Sequence, residues 1–193
     1  MVNLWITSSS SKNKIMKIFI TGCAKTGTTL LRRLFNYYDI DVFNYKELSI
    51  DNFIESNYSV SKRNFKTIFS NSLPQKEIER QLKLIKDNDI KIINITRKKE
   101  DILKKRVEVN ITEKRYDSCM EQKDVYKNYI TYNLTYKELI KNPNKIQKEI
   151  SKLLNIKINS KFSDYPIGME ELKEKKGKYD NDNYKLRKLG EKY

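Results

Sequence analysis

The sequence contains no histidine and very few of the residues that build metal sites or disulfide-rich domains. Its two cysteines, Cys23 and Cys119, are too few for a disulfide framework, and without histidine they do not form an ordinary zinc site. We therefore expect two reduced thiols in a cytoplasmic protein, with no bound metal. There is also no run of about 18 apolar residues, so no membrane-spanning segment is predicted.

The beginning of the sequence lacks the pattern of a secretory signal. Its apolar patch is short, and the lysines follow that patch rather than precede it. Met16 stands directly before the first convincing strand, so residues 1–15 are predicted to be a disordered tail or a misassigned start. The remaining residues, 16–193, are predicted to form one domain, because this length suits a single hydrophobic core.

Positive charge is in excess, with 40 Lys and Arg against 25 Asp and Glu and a net charge of +15. Such a chain favours anionic partners, among them phosphorylated cofactors, acidic glycans and nucleic acid. The chain is also rich in Ile, Asn and Tyr, a bias that an AT-rich genome imposes together with lysine, so the charge alone identifies no ligand. Aromatic and basic residues form no recognisable stacking pattern, so nucleic acid is a minor option.

Apolar segments with strand and helix periodicity alternate along the chain. This alternation predicts an α/β fold with a central, largely parallel sheet flanked by helices. The predicted strands are 17–22, 41–46, 65–70, 91–96 and 130–136, and the predicted helices are 28–38, 75–89 and 143–155.

The segment TGCAKTGTTLL (21–31) resembles a phosphate-binding loop with a displaced lysine. Gly22 and Gly27 keep the spacing of the usual G-x-x-x-x-G-K-[ST] motif, but Thr28 stands where the lysine should follow, and Lys25 lies inside the loop. A strand that ends in glycine before a helix directs several backbone N–H groups at one point, which favours an anion. The sequence of this loop therefore predicts an anion-binding site that lacks the usual lysine after its second glycine.

The string AKTGTTLL is similar to the 5′-phosphosulfate loop of the sulfotransferase family, PKSGTTWL in many members. The resemblance implies a P-loop NTPase-like three-layer fold and the sulfuryl donor 3′-phosphoadenosine 5′-phosphosulfate (PAPS). It also implies a catalytic role for Lys25, against the oxygen that bridges phosphate and sulfate. The loop residues implied to bind PAPS are Ala24, Lys25, Thr26, Gly27, Thr28 and Thr29.

A second similar segment, INITRKKEDILKK (93–105), matches the family's 3′-phosphate element. Arg97 and Asp101 fall on the family's Arg and Asp, whereas Lys99 replaces its usual Pro and Lys105 its Ser. The stretch KKGK (175–178) resembles the family's RKG, which folds back over the 3′-phosphate. The resemblance thus adds Arg97, Lys105, Lys175, Lys176 and Gly177 to the implied PAPS site. Segment 133–156 resembles a further, mainly structural part of the family, and the nearby tyrosines at 126, 129, 132 and 136 are predicted to pack at the sheet edge.

The general base is the main departure from the family. Cytosolic members use a histidine in K[ST]HLP, and the nearest counterpart, SNSLP (70–74), offers Ser72 instead. The glycosaminoglycan-modifying branch uses a glutamate after the second strand, often as KE, and NYKEL (44–48) places Glu47 there. The resemblance therefore implies Glu47 as the base that accepts the acceptor's proton.

Together these features predict a sulfotransferase that moves a sulfuryl group from PAPS to a hydroxyl or amine by direct in-line displacement, without a metal. The charge and the KE variant favour a carbohydrate or another polar acceptor. Two alternatives stay open. One is a noncatalytic relative that binds PAPS or polyanions. The other is a P-loop small-molecule kinase, which should carry a lysine after Gly27 and a carboxylate for Mg²⁺.

Overall fold

A computed structural model describes residues 15–44, 48–62, 74–103 and 113–165. Within these residues, four strands form one parallel sheet in the order β2-β1-β3-β4. The strands are β1 (Ile18–Thr21), β2 (Val60–Lys62), β3 (Lys91–Thr96) and β4 (Ile130–Thr135). Because all four are parallel, their carboxyl ends meet at one edge, where ligands bind in open α/β sheets.

Seven α-helices connect or follow the strands within the described residues. They are α1 (Thr28–Leu34), α2 (Ile50–Glu55), α3 (Gln75–Asp87), α4 (Lys99–Leu103), α5 (Glu113–Tyr126), α6 (Tyr136–Lys141) and α7 (Pro143–Leu154). Local signals set several ends. Thr135 and Glu138 form a capping box at the start of α6, Pro143 begins α7, and Asn155 ends α7 in the left-handed conformation.

Each face of the sheet carries its own hydrophobic cluster, because successive strand residues point to opposite faces. Ile18 and Ile20 of β1 pack with α1, α6 and α7, whereas Phe19 between them packs with α2, α3 and α5. The result is a sheet with helices on both faces. This agrees with the predicted α/β class and with three layers.

The predicted strand 91–96 and helix 143–155 are confirmed, and helix 75–89 ends slightly early, at Asp87. Helix 28–38 is shorter than predicted, because α1 ends at Leu34 and a 3₁₀ turn follows. The predicted second strand, 41–46, is reduced in its described part to a single parallel bridge between Val42 and Val60. The predicted third strand, 65–70, lies outside the described residues, while β2 and α5 were not predicted.

Among the described residues, no helix has both the length and the apolar character needed to cross a membrane.

Candidate anion-binding site

The segment between β1 and α1 forms a tight loop at the carboxyl edge of the sheet. The Cys23 carbonyl accepts hydrogen bonds from the hydroxyl and the backbone N–H of Thr26, at 2.8 and 3.3 Å. Gly27 precedes α1, whose first N–H groups have no partner inside the helix. Lys25, within the turn, is exposed and has a φ of 67°. Few non-glycine residues adopt this left-handed backbone, and such positions are concentrated at functional sites.

At both glycines of the loop, neighbouring atoms leave no room for a Cβ. A Cβ on Gly22 would lie 2.4 Å from the Ile95 carbonyl oxygen, so β3 approaches the loop backbone directly. A Cβ on Gly27 would lie 2.6 Å from Cδ2 of Tyr136. The loop is therefore packed against β3 on one side and against the first residue of α6 on the other.

Lys62 brings a second cation to the loop. It ends β2 beside Ile20 of β1, and its Nζ donates a 2.9 Å hydrogen bond to Oγ1 of Thr29. Thr29 belongs to the first turn of α1. A lysine held there adds positive charge to the position where the loop would receive an anion.

Arg97 follows β3 and lies at the same edge. Its guanidinium carbon is 4.4 Å from the centre of the Tyr136 ring, a cation–π contact. Its Nε is buried and has no hydrogen-bond partner within the part of the chain that the structure describes. The cation–π contact restrains the guanidinium, and a buried N–H without a partner is costly unless a ligand satisfies it. Tyr136 thus contacts both Arg97 and the loop.

A cavity of about 660 Å³ opens beside Arg97. Its walls combine apolar and aromatic surface from α5 and α6 with lysines at the rim. The residues that line it are Thr96, Arg97, Lys98, Asp101, Tyr116, Met120, Lys123, Thr135, Tyr136, Lys137, Ile140 and Lys141. A narrow crevice bordered by Cys23, Thr26, Arg97 and Met120 lies between the loop and α5. The cavity has the size and mixed polarity of a site for a small organic anion.

Polar contacts hold the beginning of α5 near Arg97. The Tyr116 hydroxyl donates to the Arg97 carbonyl at 3.2 Å. Lys99 Nζ is 2.9 Å from an Asp117 carboxylate oxygen and 3.1 Å from one of Glu113. These hydrogen bonds raise the pKa of Lys99, with Asp117 the larger cause. Because the three side chains are substantially exposed, the ion pairs contribute little stability.

The cysteines are joined, and the expectation of two reduced thiols is wrong for this structure. Cys23 of the loop and Cys119 of α5 form a disulfide that spans 96 residues of sequence, with their Cα atoms 5.9 Å apart. Two cysteines are too few for a framework, but one bond needs only two thiols brought together by the fold. The fold does this by bringing α5 next to the loop after β1, and no local pattern encodes it.

The described structure brings together the predicted loop residues, Arg97 and Asp101. Ala24, Thr28 and Thr29 are half-buried, Thr26 is buried, and Asp101 lies in α4 at the cavity wall. The remaining predicted residues lie outside the described ranges: Glu47, Lys105, Lys175, Lys176 and Gly177.

Several residues at this edge were missed by the sequence reasoning. Tyr136 was assigned to packing at the sheet edge, whereas it lines the cavity and contacts Arg97; buried Tyr126 does pack in the core. For Lys62 the sequence offers only a weak signal, a basic residue that directly follows Val60 and Ser61. Tyr116 and Met120 had none, because α5 has no apolar stripe that would mark it as a helix.

Comparison with models of known protein families and with curated protein sequences finds no match to this chain. The described residues contain no group of three or more Cys, Asp or Glu side chains placed to hold a metal ion.

Proposed function

We propose that this chain transfers a sulfuryl group from PAPS to a hydroxyl or amine acceptor on a P-loop-like scaffold. One observation carries the proposal: the anion loop and Arg97 both contact Tyr136, next to a cavity of about 660 Å³. PAPS carries anionic groups at the 5′ and 3′ positions of one ribose. It therefore needs two anion sites around a cavity that holds the nucleoside, and this edge of the sheet offers that arrangement.

Arg97 is assigned to the 3′-phosphate. Its buried Nε lacks a partner among the described residues, and the guanidinium lies over the Tyr136 ring. A planar guanidinium donates paired hydrogen bonds to phosphate oxygens. A charge-assisted bond of this kind contributes about 1.5–3 kcal/mol, or roughly ten- to a hundredfold in affinity.

The loop is assigned to the 5′-phosphosulfate. In the transfer step the acceptor oxygen or nitrogen bonds to sulfur as the bond from sulfur to the bridging oxygen breaks. Negative charge then grows on the leaving 5′-phosphate. Lys25 stabilises this charge from the exposed side of the loop, and Lys62 adds positive charge beside Thr29. Most of the work is positioning and charge stabilisation, as in phosphoryl transfer.

The acceptor proton is assigned to Glu47, which the resemblance implies as the base and which lies outside the described residues. As the acceptor attacks sulfur, its proton passes to the Glu47 carboxylate. The excess of positive charge favours a carbohydrate or another polar acceptor.

The proposal is tested by measuring ligand binding to wild type and Arg97→Ala by thermal shift and calorimetry. Wild type should bind adenosine 3′,5′-bisphosphate more tightly than adenosine 5′-phosphate, which lacks the 3′ group. Arg97→Ala should reduce this preference by roughly ten- to a hundredfold. Arg80→Ala is the matched control, because Arg80 pairs with Asp51 and Glu77 on α2 and α3; it should keep the preference.

Other ligands distinguish the two alternatives. Stabilisation by ATP only with Mg²⁺ would replace the proposal with a kinase. A response to heparin alone would leave a polyanion-binding protein. Bisphosphate binding without transfer from labelled PAPS to any member of an acceptor library would indicate a noncatalytic relative.

A further inference from the structure

The disulfide joins the two walls of the crevice between the anion loop and α5. Cys23 stands in the loop, and its carbonyl accepts both hydrogen bonds from Thr26 that close the turn. Cys119, Met120 and Lys123 follow Tyr116 by three, four and seven residues, so all four side chains share one face of α5. The three neighbours of Cys119 line the cavity beside Arg97. The bond therefore fixes the distance between the loop and the cavity wall.

We propose that the Cys23–Cys119 disulfide is a redox-sensitive bond that holds the anion loop ready to bind, so that reduction weakens binding at this site. The inference concerns regulation and rests on the proposed function for the identity of its ligand. Two described polar links, the Tyr116 bond to the Arg97 carbonyl and the exposed ion pairs of Lys99, connect α5 to the segment after β3, whereas the disulfide connects it to the loop.

The bonded form should bind more tightly because an untethered loop loses more conformational freedom when the ligand binds. A loop held in its binding conformation loses little conformational freedom when a ligand arrives, whereas an untethered loop must be ordered at that moment. The loop also contains Lys25 in the left-handed conformation, which needs support from its surroundings. The bonded form should bind more tightly, by about tenfold, which corresponds to ordering one or two additional groups.

The reaction is a thiol–disulfide exchange with a dithiol reductant. One reductant thiolate attacks a cysteine sulfur, the Cys23–Cys119 bond breaks, and a mixed disulfide forms. The second reductant thiol then displaces the protein sulfur. Two electrons and two protons pass to the protein, which gains two thiols, and the reductant becomes a cyclic disulfide. Cys23 and Cys119 are only 6% and 5% exposed, so the crevice must open before the reductant reaches them.

The coupling between ligand binding and the disulfide can be measured from either side. If the bonded form binds the ligand more tightly, the ligand must by linkage make the bond harder to reduce, by the same factor at equilibrium. A disulfide that only stabilises the fold would show neither effect in a protein that stays folded.

The experiment measures the affinity for adenosine 3′,5′-bisphosphate of oxidised wild type, dithiothreitol-reduced wild type and Cys119→Ala. Cys119 is substituted because it lies on α5, outside the loop. We expect about tenfold weaker binding in both unbonded forms and no effect of dithiothreitol on Cys119→Ala. With bisphosphate present, half-reduction of wild type at equilibrium should need more dithiothreitol. Circular dichroism checks that each form is folded, and the reduced wild type gives the answer alone if Cys119→Ala does not fold.

The outcomes separate the two proposals. Equal affinity in the oxidised and reduced forms would overturn the redox inference and leave the proposed function standing. Unfolding of the reduced wild type would also overturn it, since the bond would then serve the fold alone. Absence of bisphosphate binding to oxidised wild type would overturn both.

Discussion

Replacement of Gly27 by alanine should destabilise the protein through two separable effects. Gly27 has a φ of 107°, a backbone conformation that residues with a Cβ rarely adopt. Left-handed backbone costs an L-residue about 1–2 kcal/mol. The added Cβ would also lie 2.6 Å from Cδ2 and 3.2 Å from Cε2 of Tyr136, and 3.2 Å from Cδ1 of Ile95. Overpacking of this kind costs about 1–3 kcal/mol.

The sum, about 2–5 kcal/mol, is a large fraction of the 5–15 kcal/mol that stabilises a typical domain. A double-mutant cycle separates the two parts. In a Tyr136→Ala background the ring is gone, so Gly27→Ala should cost only the backbone part and the milder 3.2 Å contact with Ile95. The cycle should therefore show a coupling of about 1–3 kcal/mol between the two positions. Urea unfolding followed by circular dichroism supplies all four free energies of unfolding.

The cycle can refute the reasoning in two ways. A Gly27→Ala variant within about 0.5 kcal/mol of wild type would show that the loop tolerates a Cβ and does not pack against the ring. A cost that is the same in both backgrounds would show that the Tyr136 ring contributes nothing to it, and Tyr136 would then not support the loop.

Two further predictions concern chemistry and pH. In the proposed mechanism, Lys25 and Glu47 act mainly on charge that develops during transfer. Lys25→Ala and Glu47→Gln should therefore each lower the rate of transfer from PAPS by about a hundredfold or more while bisphosphate affinity changes little. Equal losses in rate and affinity would make either one an ordinary binding residue. Wild-type stability should fall as pH rises above about 10, the ordinary tyrosine pKa. Burial raises the pKa of the Tyr38 hydroxyl in the folded protein. As pH rises, this hydroxyl therefore loses its proton in the unfolded chain before it does so in the folded protein, and the free energy of unfolding falls between the two pKa values. Tyr38→Phe should lose less stability between neutral and alkaline pH, although it starts about 1 kcal/mol lower because the 2.8 Å bond from its hydroxyl to the Gln147 carbonyl is gone. Urea unfolding across this pH range measures both slopes, and parallel slopes would contradict the assignment.

The elements that were predicted correctly are those with strong local signals. β3 is a largely apolar run, interrupted by buried Asn94, that is buried on both faces, and its bounds agree with the predicted 91–96. α7 starts at a proline and carries an apolar stripe that ends at Leu154. In both cases neighbouring residues in the sequence decide the structure, so the pattern suffices.

The elements that were missed depend on partners distant in sequence. β2 has three residues and exists because it pairs with β1 and with Val42. α5 has charged residues around its circumference, and it is placed by buried Tyr126 and by the bond from Cys119. A short strand and a helix without an apolar stripe give no periodic signal. For the same reason the sequence predicted the anion loop but not the cavity wall that faces it.

The loop itself shows how far a motif can specify a site. Its glycine spacing is visible in the sequence, but three tertiary contacts hold its shape, each from a different element. Gly22 lies against the Ile95 carbonyl of β3, Gly27 against Tyr136 of α6, and Cys23 is bonded to α5. Tyr136 also makes the cation–π contact with Arg97, so a change that moves the ring should disturb the loop and the surroundings of Arg97 together. The loop and Arg97 are therefore parts of one packed unit, and this is the physical reason to assign both to a single ligand with two anionic groups.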